Sequence, residues 1–282
     1  MPPDGRSLQG FVPSSRAWLL APVLMLFCVG AGGAETPERV VSMNLCTDQM
    51  AMALAAPGQL VSITRVSADP LSSPLSDEAA GYVLNSGLAE EIYAFEPDLV
   101  LAGEYSDPVA LGLLRDLGVR VEQFPINRGL DEIPASLRRM GRLLGQEAAG
   151  DALAEGVSAR LADAPPAGEP RPTAAFFYAN GYSLGPGTLA HDFVRRAGFD
   201  NLTETLGYAG GARLSLEDLL MNAPDLLITA TGYPGASRSE AIMYHPVLEA
   251  LPQVVAGPEW VCGTQFSLGA FDQMVAARRA MD

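Results

Sequence analysis

The sequence predicts an α/β protein of two lobes, each carrying a parallel sheet, with a helical connector between them. Three observations predict it. From residue 39 onward short apolar runs alternate with helical patterns, the grammar of a parallel sheet covered by helices. One phrase occurs twice about half a chain apart, EPDLVLAGEY from Glu96 and APDLLITATG from Ala223. Between the two halves, residues 130–164 hold two helical patterns and no strand pattern.

The elements follow in order. Residues 1–34 read as a cleavable secretory signal: a polar start with Arg6 and Arg16, the apolar run WLLAPVLMLFCV, then small residues up to Ala34. That run is shorter than the roughly 20 residues a spanning helix needs, so an exported protein is expected. The first lobe, 35–130, opens with a strand over 39–43 and a helix over 47–55 with Thr47 as its cap. A strand over 60–63, a loop over 67–77, a helix over 88–95 and a strand over 99–102 come next. A helix over 108–117 and a strand over 119–124 complete the lobe. The connector, 131–165, holds helices over 133–144 and 147–161, the second taken as the link between lobes, and a Pro-rich stretch to Pro172 closes it. The second lobe, 166–282, repeats the order: strands over 173–178, 226–229 and 254–255, and helices over 189–197, 216–221, 246–250 and 267–281.

In both copies of the phrase a short helix ends before Pro, Asp turns the chain, and four apolar residues form a strand buried on both faces. Seven residues before each Pro stands a glutamate, Glu90 before Pro97 and Glu217 before Pro224. Each falls in the first turn of its helix, where the dipole favours a carboxylate. Ser215 and Asp218 form a capping-box pattern beside the second. A matched pair of exposed carboxylates on two similar lobes also suits a two-fold symmetric partner.

Charge excludes one class of partner. The chain has 33 acidic residues against 18 basic ones, a formal net charge of −15, which removes long-range attraction for nucleic acid. Beyond the leader two cysteines remain, Cys46 and Cys262, and an oxidising compartment favours their pairing. Thiolate ligation of a metal is the rival reading, without other soft ligands to accompany it.

The runs RVVSMNLCTDQMAMALA, IYAFEPDLVLAG, LLMNAPDLLITATG, LGVRVEQFP, AFFYANGYSLGPGTLAHDFVRRAGFDNL and EWVCGTQFS, in this order, resemble the periplasmic substrate-binding proteins of ABC importers for iron–siderophore complexes and cobalamin. The resemblance covers nearly all of the chain beyond the leader. It implies two Rossmann-like lobes joined by one long helix, the class III periplasmic binding protein architecture, with a ligand in the cleft between them. It implies no enzymatic activity, no permanently bound cofactor, a ferric chelate or corrinoid as cargo, and a permease dimer docked through Glu90 and Glu217. A monomer in the periplasm is expected.

Ligands of open α/β sheets lie beyond the carboxyl ends of strands. On that rule the candidate ligand-binding residues are Asn44, Arg65 and Tyr105 in the first lobe, and Tyr178, Tyr182, Tyr233, Trp260 and Gln265 in the second. Aromatic walls suit a large, partly apolar chelate or corrin ring, and Arg65 suits an acidic group on it. Heme held by a tyrosine is an alternative. A bare metal site is not expected, because His191 and His245 are the only histidines and a closed zinc site wants three or four ligands. The stretch Gly181-Tyr182-Ser183-Leu184-Gly185 matches the G-x-S-x-G pattern of serine hydrolases, with Asp225 and His245 in order, but Pro186-Gly187 stand where the helix behind the serine would begin.

Overall fold

The computed structural model describes residues 36–163, 170–232 and 237–281. The signal segment, Tyr233 and most of the Pro-rich stretch lie outside these residues. No helix among the described residues is long and apolar enough to cross a membrane.

The first half runs β1 (Val40–Ser42), α1 (Leu45–Leu54), β2 (Leu60–Thr64), β3 (Val83–Asn85), α2 (Ala89–Tyr93), β4 (Leu99–Gly103), α3 (Pro108–Asp116) and β5 (Val121–Phe124). Its strands form a parallel sheet in the order β3-β2-β1-β4-β5. Two helices follow, α4 (Ile133–Leu144) and α5 (Glu147–Ala162). The second half runs β6 (Thr173–Phe176), β7 (Tyr182–Ser183), α6 (Leu189–Arg196), β8 (Asp200–Asn201), α7 (Leu202–Thr205), β9 (Ala212–Arg213), α8 (Leu216–Asn222), β10 (Leu226–Ala230), β11 (Gln253–Ala256) and α9 (Ser267–Arg279). Here the parallel order is β11-β10-β6-β8, and β7 pairs antiparallel with β9.

The central strands are mostly apolar because both of their faces are buried. Val40, Leu99 and Leu101 point into a core that continues through Leu137, Met140 and Val157 of the connector to Phe176 and Ile228 of the second sheet. The alternate residues, Val41, Val100 and Ala102, enter a separate cluster under α2 and α3. The second sheet does the same: Ala175, Phe177 and Leu227 pack outward against Leu219 of α8 and Leu248. Each sheet thus shares one face with the connector and covers the other with its own helices.

The connector is a helical pair. Arg138 reaches Asp151, and Asp131, Pro134, Ser158 and Leu161 border one groove, so α4 and α5 run antiparallel. They meet through two glycines: a Cβ on Gly141 would lie 2.9 Å from the Gly150 Cα, and one on Gly150 would lie 3.0 Å from the Leu137 carbonyl oxygen. At 1.5 Å per residue α5 spans about 24 Å. It runs from the end of α4, whose Leu144 carbonyl accepts from Gln59, to Arg160, which bonds Asp272 on α9.

The repeated phrase is one joint built twice. Glu96 and Ala223, each just before its Pro, hold left-handed backbones with φ of 49° and 40°. Asp98 N–H donates to the Arg39 carbonyl at 3.0 Å, while the Asp98 carboxylate accepts from Glu38 N at 2.7 Å and Arg39 N at 3.1 Å. Likewise Asp225 N–H donates to the Thr173 carbonyl at 2.8 Å and its carboxylate accepts from Thr173 N at 2.7 Å. The joint pins β4 to the start of β1 and β10 to the start of β6.

Several local expectations change. Helix α1 starts at Leu45 and is capped by Asn44, whose side chain accepts from Cys46 N and Thr47 N; Thr47 instead turns its hydroxyl back to the Asn44 carbonyl and to Ser42. Strands β3, β7, β8 and β9 have two or three residues each, too few for a periodic signal, and α7 is a single turn. Residues Pro246–Ala250 form a 3₁₀ helix.

Candidate functional site

The segments after β1, β4, β5 and β11, together with β7, open on one cleft of about 510 Å³. Asn44 and Cys46 reach it from β1, and Glu104 and Tyr105 from β4. Pro125 to Arg128 follow β5, Tyr182 and Leu184 come from β7, and Trp260 and Val261 follow β11. The helix start at Thr188 closes one side.

Three ties fasten residues 262–264 to the first half at the floor of this cleft. Cys46 and Cys262 form a disulfide with Cα atoms 5.2 Å apart. Thr264 Oγ1 donates to Gln49 Oε1 at 2.9 Å, with both groups buried. Asn127 Nδ2 donates to the Gly263 carbonyl at 2.7 Å, and its Oδ1 accepts from Ser136 at 2.9 Å. A Cβ on Gly263 would lie 2.6 Å from the Asn127 Cβ, so the last tie requires glycine. On α6, Asp192 accepts from Leu130 N at 2.8 Å, which holds the segment after β5 against the second half.

Of the residues singled out by sequence, Asn44, Tyr105, Tyr182 and Trp260 line the cleft. Tyr105 is 75% exposed at the mouth, whereas Trp260 is 9% exposed, edge-on to Phe193 at 5.3 Å and donating its Nε1–H to Gln273. Trp260 is therefore a wall held by the core. Arg65 lies outside the lining: its Nε donates to Ser86 and its guanidinium faces Glu91 at 3.9 Å. Tyr178 packs against Phe176 behind the cleft, where burial pushes its phenol above the ordinary range. Gln265 also lies off the lining, and its Oε1 is buried without a hydrogen-bond partner among the described residues. Tyr233 is outside the described residues. Glu90 and Glu217 are both exposed, each the second residue of an outer-face helix, α2 and α8. The capping box of Ser215 and Asp218 is present.

Ile126, Asn127, Arg128 and Thr188 line the cleft without having been singled out. The strand-end rule applied to β5 points to the first three; nothing in the local sequence places Thr188 there.

The hydrolase elements serve structure. Ser183 is buried and bonds the Thr203 hydroxyl at 2.7 Å, Asp225 pins β6, and His245 caps a 3₁₀ turn through Val247 N. No group of three or more His, Cys, Asp or Glu among the described residues is placed to hold a metal ion.

The sequence profile of the family described as periplasmic binding protein matches residues 40–257, most of the chain. The chain belongs to the periplasmic binding protein family. A cobalamin-binding protein of Halobacterium salinarum is 27% identical over 199 residues, 68% of this chain and 54% of the relative. The chain thus spans about half the length of the curated relatives it matches. Among solved structures, a periplasmic heme-binding protein from Roseiflexus sp. RS-1 in apo form aligns with a TM-score of 0.67 at 21% identity, over 86% of this chain and 97% of that one. The periplasmic vitamin B12 binding protein of Vibrio cholerae gives 0.65 at 18%, over 87% and 98%. An ABC-type Fe3+-hydroxamate transport protein from Saccharomonospora viridis gives 0.63 at 21%, over 86% and 93%. At these identities the likeness is one of fold, and it includes the α/β architecture with parallel sheets. Family members are solute-binding proteins of the periplasm and not enzymes.

Proposed function

We propose that this periplasmic binding protein is exported by a cleaved signal, captures an iron chelate or a cobalamin-type corrinoid, and delivers it to an ABC importer. The observation that carries the reading is the aromatic-walled cleft at the carboxyl ends of both sheets. Its volume lies in the usual range for small-molecule sites, and its open mouth suits a ligand larger than the cavity. The similarity to the cobalamin-binding protein of Halobacterium salinarum supports the corrinoid side of the choice. In this reading the lobes are residues 35–130 and 166–282, with 131–165 between them, the protein acts as a monomer, and no cofactor is permanently bound. Asn44, Tyr105, Tyr182, Trp260 and Tyr233 would meet the ligand. The visible spectrum of the protein purified from its own host tests the reading. A corrinoid or ferric-chelate band supports it, and exported protein that neither carries nor binds such a compound refutes it. Heme is the second reading, favoured by the Tyr105 and Tyr182 phenols at the cleft, since tyrosinate is a heme-iron ligand.

Delivery is assigned to Glu90 and Glu217. They occupy the same place on equivalent helices, and no ion pair engages either one among the described residues. An exposed carboxylate on each sheet suits a basic pocket on each half of a permease dimer, where charge-assisted bonds set orientation. The variant Glu90→Ala with Glu217→Ala is expected to lose uptake in cells while ligand affinity stays within about twofold, since both charges are exposed, lie off the cleft lining and are screened by salt. Uptake at the parental rate would refute the docking role.

A further inference from the structure

Among the described residues the charges lining the cleft reduce to one acid and one base, Glu104 and Arg128. The two face each other at 3.9 Å, with side chains 39% and 53% exposed. Both are anchored. Glu104 Oε2 accepts from Ile126 N at 3.0 Å, and Arg128 reaches the Gly187 carbonyl of the second half at 3.5 Å, so the pair spans the cleft.

Apart from the phenols of Tyr105 and Tyr182, which bring no charge, the uncharged polar groups of the lining that could meet an anion are committed elsewhere. Asn44 caps α1, Asn127 bridges Gly263 and Ser136, and the Thr188 hydroxyl donates to the Gly185 carbonyl while capping α6. The two helix N-termini that open on the cleft are therefore already capped. A polyanion entering here would lose water and find no unpaired cation, which is costly. Approach is also opposed by the net charge of −15. An uncharged ligand meets neither penalty.

We infer that the Glu104–Arg128 pair makes the cleft a selector of net charge, accepting metal chelates or corrinoids without net charge and rejecting polyanionic ones. The inference rests on the capture reading above and narrows it: amide-rimmed corrinoids and neutral ferric hydroxamates are admitted, ferric catecholates and the dipropionate of heme are not. Whichever of the two residues touches the ligand, the sum of their charges stays zero. Removing the acid therefore shifts the preference even if Arg128 moves.

Four probes test it by fluorescence titration or calorimetry on the purified protein: cyanocobalamin, a neutral ferric trihydroxamate, heme and a ferric tris-catecholate. The parent is expected to bind at least one uncharged probe, and to bind both anionic probes about tenfold or more weakly. Glu104→Gln keeps an acceptor for Ile126 N and frees Arg128. It is expected to bring the anionic probes closer by about tenfold, the effect of one unit charge at several ångströms in a half-solvated site. That gain should shrink with salt while uncharged binding does not. The exchange Glu104→Arg with Arg128→Glu should restore the parental ratio. An anionic probe bound by the parent as tightly as the uncharged ones, or a ratio unchanged in Glu104→Gln, overturns the selector. If none of the four binds, the capture reading falls and the selector with it.

Discussion

Asp48 sits fully buried in the first turn of α1, one residue from Gln49 and two from Cys46, both of which tie the halves together. One carboxylate oxygen accepts from Thr64 N, Thr64 Oγ1 and Ser67 Oγ, while the other is buried without a partner among the described residues. Burial raises its pKa, offset in part by the hydrogen bonds from Thr64 and Ser67. A carboxyl whose folded pKa lies above its unfolded value stabilises the fold fully below the unfolded pKa. That contribution is lost as pH rises through the folded value. Asp48→Asn removes this dependence. Whatever constant offset the amide introduces, the variant's melting temperature relative to the parent should climb as pH rises from about 4, the ordinary Asp value, toward neutrality. A pH-independent difference in thermal melts would refute the assignment. Sequence reading marked the residues around Asp48 without marking it, because a buried acid and an exposed N-terminal acid look the same in one dimension.

At the scale of elements, the antiparallel pair of α4 and α5 depends on Gly141 meeting Gly150. The nearest atoms to an added Cβ are backbone, which cannot move aside as a side chain tip can. Gly141→Ala is expected to destabilise the protein by about 1–3 kcal/mol, the usual range for overpacking, despite alanine's better helix propensity. Ala at the solvent-facing Gly156, where nothing lies within 4 Å, should stabilise by up to about 1 kcal/mol. Urea unfolding of the two variants distinguishes these outcomes by sign. Both helices were legible from their Leu and Val spacing, as were β4 and β10 from their mostly apolar runs. The close crossing was not, since a glycine in a helical pattern reads as a weak point until its neighbour is known. The strands of two or three residues were invisible because their hydrogen-bond partners, not their own side chains, define them.

For the whole molecule, the three ties at residues 262–264 cross from the last third of the chain back to Cys46, Gln49 and Asn127, and the disulfide closes a loop with a separation of 216 residues. In the chain-entropy model a crosslink over such a loop stabilises the fold by on the order of 5 kcal/mol. Replacing both cysteines, Cys46→Ser with Cys262→Ser, should lower stability by up to that amount, read as a drop in the urea midpoint. A midpoint unchanged from the parent would show that the disulfide adds nothing to the other two ties. Because these ties lie at the cleft floor, they oppose wide separation of the halves and favour a preformed site.

By itself the sequence determined the α/β class, the order of the long elements, the doubled helix-to-strand joint with Glu90 and Glu217 seven residues upstream, and the two cysteines whose pairing the compartment favours. These follow from turn chemistry, periodicity and compartment, which are written locally or in composition. Tertiary structure alone decided which strand-end residues share a cleft. Arg65 and Tyr178 obey the strand-end rule and lie outside the lining, while Thr188 was brought in from a helix start. The direction in which a loop leaves its strand depends on what packs beneath it. Here that is the 262–264 segment, some two hundred residues from the α1 turn it fastens.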